Sequence, residues 1–179
     1  MNGNNIVLVG FMGTGKSTVG QLLAERLEHE YFDSDREVER SCGMTIPELF
    51  AAKGEPYFRE METEALQRIL GGSGRVVSTG GGSVLLKKNR RLMQERSFVI
   101  ELCASEETIV SRVEKFENRP LLAGNVKERV AALKRERAGA YTFAHYHLDT
   151  DGLHPREAVE VIRDWLISSG YNEGRRLSQ

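Results

Sequence analysis

Several things are scarce in this chain of 179 residues, and each scarcity excludes a class of protein. There is no excess of one charge: 25 Lys and Arg stand against 26 Asp and Glu, for a formal net charge of -1. A general nucleic-acid binder normally shows a basic surplus, so none is expected as a partner. There are only two cysteines, Cys42 and Cys103, and neither belongs to a CxxC or Cys/His zinc spacing. They read as buried or half-buried thiols in a reducing compartment. No apolar run is long enough to cross a bilayer. Ile6 to Gly10 is too short for a signal-peptide core and follows no cationic segment. The expectation is a cytoplasmic protein, a monomer, with no membrane partner. Internal repeats, low-complexity tracts and an interdomain linker are also missing, so residues 1–179 are expected to form one domain.

What is present is a β/α alternation. Ile6 to Val9 is a short apolar run with β-branched residues, the pattern of a buried strand. Ser17 to Leu27 repeats apolar residues at helical spacing. Tyr31 to Asp33, Arg75 to Thr79, Ser97 to Leu102 and Tyr146 to Thr150 read as further strands. Thr45 to Lys53, Tyr57 to Leu70, Val126 to Tyr141 and Pro155 to about Ser169 read as helices, and Ser105 opens another with Glu106 and Glu107 in its first turn. Ser34-Asp-Arg-Glu37 fits a capping box. Alternation of this kind gives a mostly parallel α/β sheet covered on both faces. Lys115 to Gly124 fits neither period and is expected to be a lid.

The sharpest motif is Gly10-Phe-Met-Gly-Thr-Gly-Lys16-Ser17, a full GxxxxGK[ST] match between a strand and a helix. In such a loop the backbone N–H groups turn onto phosphate oxygens, and the following helix adds the positive end of its dipole. Lys16 reaches the β- and γ-phosphates, and Ser17 offers a hard oxygen to Mg²⁺. No guanine-reading Asn-Lys-x-Asp follows. Asp149-Thr-Asp-Gly152 comes too late to be a γ-phosphate switch and reads as a strand end and turn. A small-molecule kinase is the class that remains.

Three features fall where an acceptor should bind, at the carboxyl ends of parallel strands. Asp33-Ser-Asp35 places two acids at i, i+2, one for a metal shell and one for a hydroxyl proton, unless they only cap a helix. Arg59 and Glu62 share a helix face, which suits either an arginine held for a substrate carboxylate or a surface ion pair. Gly80-Gly-Gly82 ends a strand, which suits a ligand lying on bare backbone or a flexible loop.

Taken in order and spacing, these motifs resemble shikimate kinases. The likeness includes Gly10 to Thr18, Asp33 and Asp35, Phe58-Arg-x-x-Glu62, Ser78-Thr-Gly-Gly-Gly82, Arg119-Pro-Leu-Leu122 and Arg137-x-x-x-Tyr141. It implies a three-layer α/β/α P-loop kinase fold of the nucleoside-monophosphate-kinase type, with a five-stranded parallel sheet, a lid at about 115–124 and shikimate-binding helices at about 34–62. It implies transfer of a phosphoryl group from ATP to the 3-hydroxyl of shikimate. Asp35 would bind the ring hydroxyls and take the proton. Asp33 would join Ser17 at Mg²⁺. Arg59 and Arg137 would meet the carboxylate, with Gly81 and Gly82 supplying backbone. Gly13, Thr14, Gly15, Lys16, Ser17 and Thr18 would hold the phosphates, Arg119 the transferring group, and Arg112 and Pro155 would flank adenine. The chain departs from the family pattern at Arg137-Ala-Gly-Ala-Tyr141, where a proline often stands, so Arg135 competes with Arg137 for the carboxylate; register with Tyr141 favours Arg137. A related kinase acting on gluconate or a nucleoside monophosphate is the alternative. The four histidines show no ligand spacing. Trp165, with Val161, Ile162 and Leu166, and Cys103 are expected in the core.

Overall fold

The structure, a computed structural model, describes residues 4–114, 126–137 and 139–171. The expected lid at 115–124, Arg119 included, lies outside the described residues. Five strands, β1 (Asn5–Val9), β2 (Glu30–Asp33), β3 (Arg75–Ser78), β4 (Ser97–Cys103) and β5 (Tyr146–Asp149), form one sheet in the order β2-β3-β1-β4-β5. Every pairing is parallel. The helices are α1 (Lys16–Leu27), α2 (Ser34–Cys42), α3 (Ile46–Leu70), α4 (Lys87–Arg96), α5 (Glu106–Val113), α6 (Val126–Glu136) and α7 (Pro155–Ser168).

The central strand shows why the sheet needs cover on both faces. Successive side chains of a strand point to opposite sides. Ile6 and Leu8 pack with Leu23 of α1 and with Ile162 and Leu166 of α7. Val7 and Val9 pack on the other side with Leu66 and Leu70 of α3 and Met93 of α4. All four strand residues are fully buried, so β1 has no polar face, as the unbroken apolar run requires.

Several local expectations are corrected. α2 is capped by Asp33, not Ser34: the Asp33 carboxylate accepts from the Asp35 and Arg36 amides. Ser34 is the first helical residue, buried, with its hydroxyl accepting from the Gly80 amide at 3.1 Å. The two helices expected between Thr45 and Leu70 are present: α3 is divided at Gly54, where φ 78° and ψ 171° break the helical path just before Pro56. α6 stops at Glu136 instead of reaching Tyr141, because Gly139 turns the chain at φ 79°. α4 and the 3₁₀ turn at Ser83–Leu85 before it were not expected at all. Cys103 is half-buried and not core, because it ends β4 where the sheet opens to solvent. Ile162 and Leu166 are buried as expected, but Val161 is exposed, and Trp165 lies half-buried on Tyr146 with ring centroids 4.9 Å apart. Asp149 ends β5 and Gly152 turns the chain, as expected of that tetrapeptide.

Candidate active site

The loop after β1 can wrap tightly only because Gly10 has φ 141° and no Cβ; a methyl there would lie 2.4 Å from the Leu102 carbonyl oxygen. α1 begins from Gly15 with no side-chain cap, so its first amides face the loop rather than a neighbour. The loop is held from outside. Ser78 donates its hydroxyl to the Lys16 carbonyl at 2.9 Å, and Arg112 donates to the carbonyls of Gly13 and Thr150 at 3.2 Å each. Lys16 is not a free cation in solvent: its Nζ donates to the carbonyls of Gly10 (2.9 Å) and Phe11 (2.8 Å). The ammonium is thereby parked across the loop mouth.

The two acids after β2 have diverged in environment. Asp33 uses Oδ1 to cap α2 and turns Oδ2 toward the Ser17 hydroxyl, 3.5 Å away. That pair of hard oxygens at the loop fits a Mg²⁺ ion. Asp35 has no such partner: its Oδ1 is buried without a hydrogen bond. Burial, with Glu62 and Asp33 adding like charge, pushes the Asp35 carboxyl from 3.8 up to about 7, against the pull of Lys16 and Arg59. A carboxyl at that value suits general-base work near neutral pH.

The glycine run joins the parts. A Cβ on Gly80 would sit 2.4 Å from Asp35 Oδ1, one on Gly81 3.0 Å from Arg137 Nη1, and one on Gly82 2.6 Å from both terminal nitrogens of Arg59. The three glycines therefore leave room for three charged side chains from α2, α3 and the end of α6. Arg59 is set from behind. Its Nη1 pairs at 3.0 Å with Glu62, which is fully buried and also accepts from Ser83 at 2.5 Å. Burial works against the Arg59 charge, but Glu62 and Glu55 outweigh it and hold the guanidinium protonated more firmly than usual. The surface-pair reading of Arg59 and Glu62 thus fails. Arg137 is buried, donates to the Gly81 carbonyl at 3.1 Å and lies over the Phe11 ring, whereas Arg135 is exposed.

A cavity of about 700 Å³ runs between these groups. Its walls include the loop residues Gly13 to Thr18 together with Asp33 and Asp35. Gly81, Arg112 and Pro155 are among its other lining residues. Arg59, Gly82 and Arg137 do not line that cavity; they stand next to it, behind the glycine run.

The model of the shikimate kinase family matches residues 12–167. The chain belongs to the shikimate kinase family. A shikimate kinase of Geobacter sulfurreducens is 47% identical over 166 residues, 92% of each chain. One of Pelotomaculum thermopropionicum is 43% identical over 170 residues, covering 94% of this chain and 99% of its own. Among solved structures, shikimate kinase from Acinetobacter baumannii in complex with shikimate superposes with a TM-score of 0.88 at 36% identity, over 96% of this chain and 97% of that one.

In this member of the shikimate kinase family the structure also supplies supporting residues that sequence reading missed. Ser34 fixes Gly80, Ser83 holds Glu62, and Asn89 accepts from Thr63 while donating to the Ser83 carbonyl. Thr150 ties the last strand to the loop through Arg112 and the Thr14 carbonyl. Serine, threonine and asparagine in these places carry no sequence signal, because their partners are far along the chain. The histidines, read as ordinary, do have structural work: His154 caps α7 and His145 Nδ1 accepts from the Val99 amide.

Proposed function

We infer that the chain transfers the γ-phosphoryl group of ATP to the 3-hydroxyl of shikimate. The observation that carries this reading is the packing of Asp35, Arg137 and Arg59 against three consecutive glycines beside the phosphate loop. One carboxylate with a raised pKa and two guanidiniums suit an acceptor that has hydroxyls at one end and a carboxylate at the other. Loop amides and Lys16, released from the Gly10 and Phe11 carbonyls, hold the ATP phosphates. Arg112 and Pro155 bound the adenine end of the cavity. Asp35 receives the hydroxyl proton as the new O–P bond forms and the bond from phosphorus to ADP breaks; the proton then passes to solvent. Arg59 and Arg137 hold the carboxylate, with Gly81 and Gly82 as the floor. Ser17 and Asp33 would hold Mg²⁺, which when bound neutralises phosphate charge. Arg119 stabilises the transferring group on the strength of its motif alone. The enzyme acts as a cytoplasmic monomer without nucleic-acid or membrane partners. The near-neutral composition supports that reading, and among the described residues no helix is long and apolar enough to cross a membrane.

The test is ADP release measured in parallel with shikimate, gluconate and several nucleoside monophosphates. Turnover should appear with shikimate. Turnover with gluconate or a nucleoside monophosphate in its place would overturn the assignment.

A further inference from the structure

Arg137 also borders a second group of side chains that the phosphoryl transfer does not use. β4 and β5 pair in register with Glu101 beside His147. Cys103 is two residues along β4 from Glu101, so it projects from the same face of the sheet. The result is that one ligand atom from each of Glu101, Cys103 and His147 falls within 4.8 Å of the other two. A cross-strand ion pair accounts for His147 Nδ1 and Glu101 Oε2, 2.6 Å apart. The Cys103 thiol leans on the same Glu101 carboxylate, so all three donor groups converge on one point. The three residues open into a cavity of about 390 Å³ whose walls also include Lys134, Arg137 and Tyr141.

We propose that Glu101, Cys103 and His147 form a binding site for a borderline divalent transition ion of the Zn²⁺ class. The donor set is one sulfur, one imidazole nitrogen and one carboxylate oxygen, a mixture that selects such ions and that Mg²⁺ does not take. Three protein ligands leave a fourth position for water from the cavity. Tetrahedral coordination at normal Zn–N, Zn–O and Zn–S lengths sets ligand atoms about 3.3–3.8 Å apart. The thiol must therefore approach, and the Glu101–His147 contact must relax, by about 1 Å. The His147 side chain is 47% exposed and can make that adjustment. Lys134 and Arg137, both in the cavity wall, are the cations that oppose binding, but the Lys134 Nζ is held by the Ala104 carbonyl and Arg137 Nη1 by the Gly81 carbonyl, each at 3.1 Å, while Asp149 at the end of β5 adds negative charge. On binding, the S–H proton of Cys103 leaves to buffer as the sulfur–metal bond forms, and nothing is oxidised or reduced.

The experiment is a Co²⁺ titration of the full chain with Mg²⁺ in excess, followed by near-ultraviolet absorption. A thiolate–cobalt charge-transfer band should rise to one equivalent and disappear when Zn²⁺ is added. Cys103→Ser should abolish the band, and Cys42→Ser should keep it. His147→Gln, a change at a half-exposed side chain, should weaken Co²⁺ binding by at least the ~10–100-fold that loss of even an outer-shell partner costs. The proposal is overturned if no band forms in the wild-type chain at large Co²⁺ excess. It is equally overturned if the band survives Cys103→Ser, follows Cys42, or is indifferent to His147→Gln. The readout is independent of phosphoryl transfer, so its failure leaves the kinase reading untouched.

Discussion

At the scale of single residues, the chemistry rests on neighbours that alter ordinary side chains. Asp33 and Asp35 are two positions apart, yet one caps a helix and faces Ser17 while the other has an orphaned buried oxygen. The second is the one we propose as the proton acceptor. kcat/KM for shikimate should rise with pH to a plateau above about 7, where the Asp35 carboxyl is ionised. Asp35→Asn should lower kcat by about 10²–10⁴-fold, remove that inflection and leave ATP affinity nearly intact. Loss of ATP binding instead would exchange the roles of the two acids. Arg59→Ala should raise KM for shikimate and spare KM for ATP, because the guanidinium stands behind Gly82 and away from the loop. Cutting a charge pair of this kind costs about 2–5 kcal/mol. The methyl ester of shikimate, a poor substrate for the wild type, should lose little more in the variant; if ester and acid react equally well with the wild type, the pairing is wrong.

At the scale of elements, the glycine run after β3 works as a recess, and it can be tested by filling it. Gly82 has φ -96° and ψ -12°, a conformation any residue adopts, so Gly82→Ala adds a methyl without backbone strain. The three atoms nearest that methyl all belong to the Arg59 guanidinium, 2.6–2.9 Å away, so the guanidinium must shift from its place beside Glu62. The variant should melt within a few degrees of the wild type yet show a raised KM for shikimate. Combined with Arg59→Ala it should add little, since both changes act on one contact. An additive double variant would refute the recess. This scale also shows what the sequence makes legible. β1, its loop and α1 are readable because strand, glycines and helix are consecutive and each carries its own period or motif. Arg137 could be preferred over Arg135 from its register with Tyr141, and the burial of one and exposure of the other agree. α4 escaped because Lys87 to Arg96 is nearly all polar; only Asn89 and Met93 are buried, too thin a stripe to give a period. The cap of α2 is ambiguous in sequence, because Asp33 and Ser34 are both good capping residues and the Ser34 hydroxyl is engaged instead by the distant Gly80 amide. The Glu101–Cys103–His147 group has no sequence spacing to find, because 44 residues separate Cys103 from His147 and strand pairing alone brings them together.

At the scale of the whole molecule, holding Asp35 in place carries a cost in stability whose sign can be stated. Its folded pKa of about 7 lies above the 3.8 of an exposed carboxyl, so between those values the folded chain binds a proton that the unfolded chain releases. The stability from this group is fully present below about 4 and is lost as pH rises through about 7. Asp35→Asn cannot ionise. Without ligands it should melt above the wild type at pH 8, and the gap should close toward pH 4. A gap that stays constant across that range would mean the carboxyl is not shielded as described. The strand order has a different kind of consequence. β1 lies between β3 and β4, pairing Ile6 with Val76 and Asn5 with Ser97. During synthesis the first strand leaves the ribosome early, but its two neighbours are made only some seventy and ninety residues later. Until both are made, Ile6 to Val9 lacks a partner on at least one side, and the phosphate loop lacks its Leu102 neighbour. A nascent chain released before Ser97 should therefore need chaperone protection and bind no nucleotide, although it already contains every residue of the loop.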